Sequence, residues 1–248
     1  LAVYSSSSII VSANRRYLMG KILQSVAWIL LALRGYIPDL ISAYIGNSLL
    51  IAGLSLEALA LVSVETNNKK FVRFYAVLVT SFLFAFWGFA RRPNQYVYVS
   101  SFFASIIFIS VTVLLSHSGK RSILRYLLSG VFMLSSIIMV FRGINAILNA
   151  DYRLMSNEFS QHLTFFSTYF LMIISGSGFL LLQREHTDDL LKIANQELEQ
   201  MAHFDSLTNL ANRRKFREHL TYGISESRRR AEPLTLIMAD IDFFKSYN

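Results

Sequence analysis

Six stretches of apolar sequence, each close to the roughly 20 residues an α-helix needs to cross a bilayer, decide what this chain can fold into. They run over residues 17–34, 40–64, 71–90, 96–116, 123–142 and 162–183. A seventh, over 1–13, is too short to span alone and reads either as the end of a span or as a surface segment. Backbone polar groups in hydrocarbon must be satisfied within their own segment, so such stretches are expected as helices. Composition agrees: 53% of residues are hydrophobic and 16% charged, against about a quarter charged in an average soluble domain. A wholly soluble globular protein and a disordered chain are both excluded. There is no Cys, so no disulfide framework and no thiolate metal site is possible.

The formal net charge of +8 would ordinarily suggest nucleic acid, but its location argues otherwise. Residues 1–183 hold 14 basic and 5 acidic residues, net +9, whereas residues 184–248 hold 10 and 11, net −1. The excess therefore belongs to the apolar part, where it reports topology. Three loops on one side carry Arg15, Arg16 and Lys21, then Lys69, Lys70 and Arg73, then Lys120, Arg121 and Arg125. The other side carries Arg34, Arg91, Arg92, Arg142 and Arg153. Nine against five makes the first side cytoplasmic and returns the chain to the cytoplasm after Gln183. Arg91 and Arg92 sit against the trend. Lipid is the expected surrounding, and no nucleic-acid partner is expected.

Within the spans, Glu57 is the one acidic residue near a span centre. It reads either as a functional carboxylate or as a protonated or hydrogen-bonded packing residue. Ser175-Gly176-Ser177-Gly178 permits close helix approach. Phe82, Phe84, Phe86, Trp87 and Phe89 are explained by lipid contact and bundle core. No array of acidic residues and no matched pair of broken spans marks a transport pathway. A ligand-sensing bundle over 1–183 is the better reading, with the ligand unknown.

After Gln183 the pattern changes abruptly. Leu191, Ala194, Leu198 and Met201 follow the 3-4-3 spacing of a coiled-coil seam, with Glu185, Asp188, Asp189, Glu197 and Glu199 on other faces. Residues 184–203 are read as a parallel dimer stalk; a single amphipathic helix packed on its own domain is the alternative.

From Asp205, turn and cap residues (Ser206, Thr208, Asn209, Asn212) lead into a helix expected over 212–230. Phe216, Leu220 and Ile224 give it one apolar face, and Arg228–Arg230 fall in its last turn, where cations suit the helix dipole. Pro233 ends it, and residues 234–239 suit a short buried strand. Asp240 and Asp242 follow, two residues apart, on one face if the strand persists. Two hard oxygen donors make a plausible Mg²⁺ site completed by substrate phosphates, although Asp-x-Asp alone also fits a solvated pair. Backbone N–H groups at Phe243 and Phe244, with Lys245, suit phosphate oxygens.

Two motifs together carry more. Asp205-Ser-Leu-Thr-Asn-Leu-Ala-Asn-Arg-Arg-Lys-Phe216 resembles the D-x-L-T-x-L-x-N-R-R-x-F opening of the GGDEF family, the diguanylate cyclases. Asp240-Ile-Asp-Phe-Phe-Lys-Ser-Tyr-Asn248 resembles the family's D-[IV]-D-x-F-K-x-x-N stretch, at the expected distance. The resemblance covers about residues 201–248. It implies an α/β palm related to nucleotide cyclases, joining two GTP into cyclic di-GMP between two subunits. By motif match, Asp240 and the backbone carbonyl of Ile241 would hold Mg²⁺ (or Mn²⁺), with a weaker role for Asp242. Phe243, Phe244 and Lys245 would contact phosphates, and Asn248 would bind guanine.

The expected architecture is mainly α: a polytopic transmembrane helical bundle over 1–183, a coiled-coil connector over 184–203, and the start of an α/β GGDEF domain over 204–248. The resemblance implies that the Gly-Gly-Asp/Glu-Glu-Phe loop would follow beyond Asn248, so these residues by themselves are expected to be an inactive, C-terminally truncated fragment. The parent is expected to be a signal-regulated, homodimeric diguanylate cyclase of a bacterial inner membrane with its C-terminal domain cytoplasmic. The alternative is a non-catalytic membrane receptor whose degenerate GGDEF domain binds GTP or cyclic di-GMP.

Overall fold

A computed structural model describes residues 2–65, 69–117, 122–153, 158–205, 208 and 210–239. Its helices are α1 (Ala2–Ala32), a π-helical stretch (Leu40–Ile45) that runs into α2 (Gly46–Glu65), α3 (Lys69–Phe89), α4 (Pro93–Ser116), α5 (Ile123–Leu148), α6 (Phe159–His203) and α7 (Arg213–Arg230). The chain divides into two compact units, residues 1–187 and 188–248, with the boundary inside α6. Five helical stretches, Leu40–Val64, α3, α4, α5 and α6, are long and apolar enough to cross a membrane.

The first unit is a helical bundle built on two antiparallel pairs. In the α1–α2 pair, Arg16 donates to Ser63 Oγ at 2.6 Å, while at the other end Leu31 packs on Gly46. Between them Gly20 and Gly53 cross: a Cβ on Gly53 would lie 2.8 Å from the Gly20 carbonyl oxygen, and one on Gly20 2.9 Å from that of Gly53. Only residues without a side chain permit this backbone approach. The α4–α5 pair is stitched by small hydroxyls. Ser136 Oγ donates to the Ser105 carbonyl at 3.1 Å and Thr112 Oγ1 to the Ser129 carbonyl at 3.2 Å. A hydroxyl between helices satisfies its own polarity and adds an interhelical bond.

One expectation is corrected here. The loop over 14–21 is not a loop: α1 runs unbroken from Ala2 to Ala32. The partial span and the first full span are one helix. Arg16 and Lys21 do not terminate it because each finds a polar partner on α2, Ser63 and Glu57 respectively. Helix α1 thus lies along α2 from Arg16 to Leu31, although it is not among the five stretches of spanning length and composition.

Two further basic residues assigned to outer loops are helical or cap a helix. Arg142 lies within α5 and is buried. Arg91 turns back on α3, with Nη1 at 3.3 Å from the Trp87 carbonyl and Nη2 at 3.2 Å from that of Gly88. A cation at a helix C-terminus satisfies orphan carbonyls, which gives the Arg91 position a local reason independent of topology. Gln95 Oε1 accepts from the Arg91 and Arg92 amides at 2.6 and 3.0 Å and starts α4.

The aromatics divide as their helical spacing dictates. Phe82 and Phe86, four apart, are fully buried against Tyr44, Tyr96 and Phe103. Phe84 and Phe89 face outward. On α6, Tyr17 of α1 stacks on Phe179 at 4.2 Å, and Gly178 seats Leu128 of α5. The Ser175–Gly178 run is thus a packing surface.

Candidate functional site

In the second unit, the described residues between Ala202 and Asn212 form a hydrogen-bonded corner between α6 and α7. Phe204 and Ala211 pair as an isolated antiparallel bridge. The Asp205 amide donates to the Leu210 carbonyl at 2.8 Å, and the Asn212 amide to that of His203 at 2.9 Å. Inside the turn, Asp205 Oδ1 accepts from both the amide and the hydroxyl of Thr208, each at 2.9 Å. Aspartate and threonine at this spacing close such a turn because a short side chain replaces a backbone acceptor.

Asn212 joins both helices. Its Nδ2 donates to the Ala202 carbonyl at 2.8 Å, satisfying a C-terminal orphan of α6, and its Oδ1 accepts from the Lys215 amide at 3.0 Å, capping α7. The Lys215 ammonium lies 3.9 Å from the Phe204 ring centroid, a cation–π contact that closes the corner from outside. The Asp205, Thr208 and Asn212 positions of the opening motif therefore shape the backbone. Asn212→Ala is expected to cost about 1–2 kcal/mol through the lost cap, read as faster hydrogen exchange at the Lys215 amide with helix α5 unaffected.

Helix α7 matches its expected range, and Arg228–Arg230 form its last turn. Arg229 and Arg230 both pair with Glu226, the latter at 2.6 Å. Ala231 ends the helix in the left-handed region at φ 55°, and its amide and that of Glu232 both return to the Ser227 carbonyl. Phe216 and Ile224 remain 46% and 42% exposed, so this apolar face is not covered by the described residues.

The strand expected over 234–239 is not formed: these residues adopt no regular structure, and Ile237 and Met238 are exposed. A strand exists through hydrogen bonds to a neighbour, and among the described residues no segment supplies one. Asp240, Ile241, Asp242, Phe243, Phe244, Lys245 and Asn248 lie outside the described residues. Among the described residues no cluster of three His, Cys, Asp or Glu side chains is placed to hold a metal ion.

The family comparison bears on this unit. Residues 202–248 match the family described as diguanylate cyclase, GGDEF domain. This segment is GGDEF sequence. The match begins at Ala202, whose carbonyl Asn212 holds, so the GGDEF segment includes the whole corner and α7. No curated protein matches the chain, and no solved structure matches it.

Charged partners inside the bundle were not legible beforehand. Glu57 is visible as a carboxylate within an apolar run, but its partners are not. Lys21 Nζ donates to its Oε1 at 2.8 Å, and Gln24 Nε2 to its Oε2 at 2.6 Å. Lys21 also reaches Ser175 Oγ at 3.2 Å, which ties α1, α2 and α6 together. Arg125, at 2% exposure, pairs with Glu185 at 2.8 Å. The readable signal was the position of each cation in or beside an apolar run, where a charge needs a counter-charge.

Proposed function

We propose that these residues belong to a membrane-bound, signal-regulated diguanylate cyclase, which condenses two GTP into cyclic di-GMP with loss of two pyrophosphates. The observation that carries this reading is the GGDEF match over 202–248, joined to a bundle with five helical stretches of membrane-spanning length and composition. Each bond forms when a 3′-hydroxyl of one GTP attacks the α-phosphorus of the other, losing its proton as pyrophosphate leaves.

The carboxylates of Asp240 and, more weakly, Asp242, with the Ile241 carbonyl, are an all-oxygen donor set that suits Mg²⁺ or Mn²⁺. A bound divalent ion supplies charge neutralisation at the phosphates and lowers the barrier to forming the alkoxide. Phe243 and Phe244 amides and the Lys245 ammonium orient the phosphates, and Asn248 recognises guanine. Each subunit holds one GTP, so turnover requires a homodimer.

The stalk reading is supported by exposure. Leu191, Leu198 and Met201 are 56%, 62% and 75% exposed on α6, an apolar seam that a second copy would cover. The basic residues about the α2–α3 and α4–α5 connections, Lys69, Lys70, Arg73, Lys120, Arg121 and Arg125, support an orientation with the GGDEF segment in the cytoplasm of a bacterial cell, where GTP is available. The reading is tested by a protein carrying these 248 residues with a complete GGDEF domain, reconstituted in nanodiscs with GTP and Mg²⁺. Cyclic di-GMP is the expected product by mass. GTP and cyclic di-GMP binding without turnover would instead establish the non-catalytic receptor.

A further inference from the structure

Two cations of the bundle are matched by carboxylates among the described residues, and Arg142 is the most buried of those that are not. Lys21 has Glu57 and Arg125 has Glu185, each at 2.8 Å. Arg142, 7% exposed, sits on α5 six residues before Leu148, about 9 Å from the helix end. Its Nε donates to Gln161 Oε1 at 3.0 Å, and no carboxylate among the described residues pairs with it. An intramembrane guanidinium without a counter-charge is expensive to keep.

Arg142 lines a cavity of about 40 Å³ between α1, α2, α4, α5 and α6. The space has room for about three water-sized groups, well below a drug-sized ligand. Its polar lining is largely spent. Asn47 Nδ2 donates to the Ala43 carbonyl, Ser100 Oγ to that of Tyr96 and Thr164 Oγ1 to that of Ser160. Thr168 Oγ1 differs: it is closed off from solvent and has no partner. Gln24, also in the wall, is held by Glu57 at 2.6 Å, and Ile51, Phe108, Met139 and Phe165 supply an apolar side.

The geometry points to an anion site within the bundle: Arg142, assisted by the Thr168 hydroxyl, binds a small monocarboxylate of about the size of acetate in this cavity. Gln161 holds Nε and the Tyr152 hydroxyl also bonds the guanidinium, so these two fix its plane and the N–H groups left over meet a carboxylate oxygen. Thr168 offers a third donor, and the apolar wall takes a short alkyl tail. Size excludes longer acids. The occupant also touches α6 through Thr164, Phe165 and Thr168, the helix that continues to His203. Binding gives a readout of its own, independent of cyclase activity.

Trp28 lines the cavity, and the sequence holds only one other tryptophan, Trp87. In the full chain carrying Trp87→Phe, in nanodiscs, sodium acetate is expected to change Trp28 emission saturably, with no change from sodium chloride at equal ionic strength. Arg142→Gln in that background should shift the acetate midpoint upward by about tenfold or more. Ala104→Leu, which fills the cavity and leaves the arginine, should abolish the response. An absent acetate response in the Trp87→Phe chain, or an unchanged titration in Arg142→Gln, overturns the site. Equal titrations by chloride and acetate overturn the carboxylate assignment. If circular dichroism shows that Arg142→Gln does not fold, Ala104→Leu decides, and an unchanged titration there overturns the site.

Discussion

Replacing Asp240 by Ala, in a protein with a complete GGDEF domain, is expected to lower cyclic di-GMP synthesis by about two to three orders of magnitude. The 3′-hydroxyl attack places extra negative charge on an α-phosphate that already carries it. A carboxylate that holds a divalent ion at that position acts on the transition state more than on bound GTP. On the proposed reading the Lys245 ammonium and the Phe243 and Phe244 amides would still hold the phosphates in the variant, so GTP affinity should fall much less than turnover. Asp240→Asn should behave like Asp240→Ala, because a neutral amide is a poor substitute for a charged ligand. The measurement is product formation against Mg²⁺ concentration, with GTP binding followed separately. Full synthesis by either variant would remove Asp240 from the metal site.

The second large effect is expected at Glu57. Its side chain is 7% exposed, Lys21 is 17% exposed beside it at 2.8 Å, and Gln24 donates to its other oxygen at 2.6 Å. Glu57→Leu leaves an ammonium and an amide in the α1–α2 interface without their acceptor. Breaking a buried pair from one side costs about 3–5 kcal/mol, a large share of the margin of an ordinary fold. Lys21→Met combined with Glu57→Leu should recover most of that loss, because the uncompensated charge is removed together with its partner. Thermal unfolding in detergent of the two single variants and the double variant measures this. Additive losses in the double variant would show that Glu57 acts elsewhere than through Lys21. Because Lys21 also contacts Ser175 on α6, both single variants should loosen the packing of Tyr17 on Phe179.

Glu57 shows how much of the bundle was legible. A carboxylate in an apolar run is visible in sequence, and so is the demand for a partner. Lys21 is 36 positions away in a stretch whose three basic residues look like a loop. Local hydropathy falls there because the charges are counted as if each met solvent or lipid alone. In the structure they meet Ser63 and Glu57, so the helix continues. The strand expected over 234–239 failed in the opposite way: its residues have the right composition, but no neighbour among the described residues offers backbone groups to pair with.

The helical character and span-like apolar runs of the first unit, the range of α7 and the GGDEF resemblance of the last segment were all readable from the chain. Those properties are local: apolar run length, the 3.6-residue period, and side chains at fixed spacing in one motif. It took the packed helices to show that α1 is one helix, that Arg125 belongs with Glu185 sixty positions on, and that Arg142 faces a cavity instead of an outer loop. Each depends on the rotation and register of one helix against another. Packing sets these through contacts such as Gly20 on Gly53 and Tyr17 on Phe179, and neighbours far apart in the chain have no local signature.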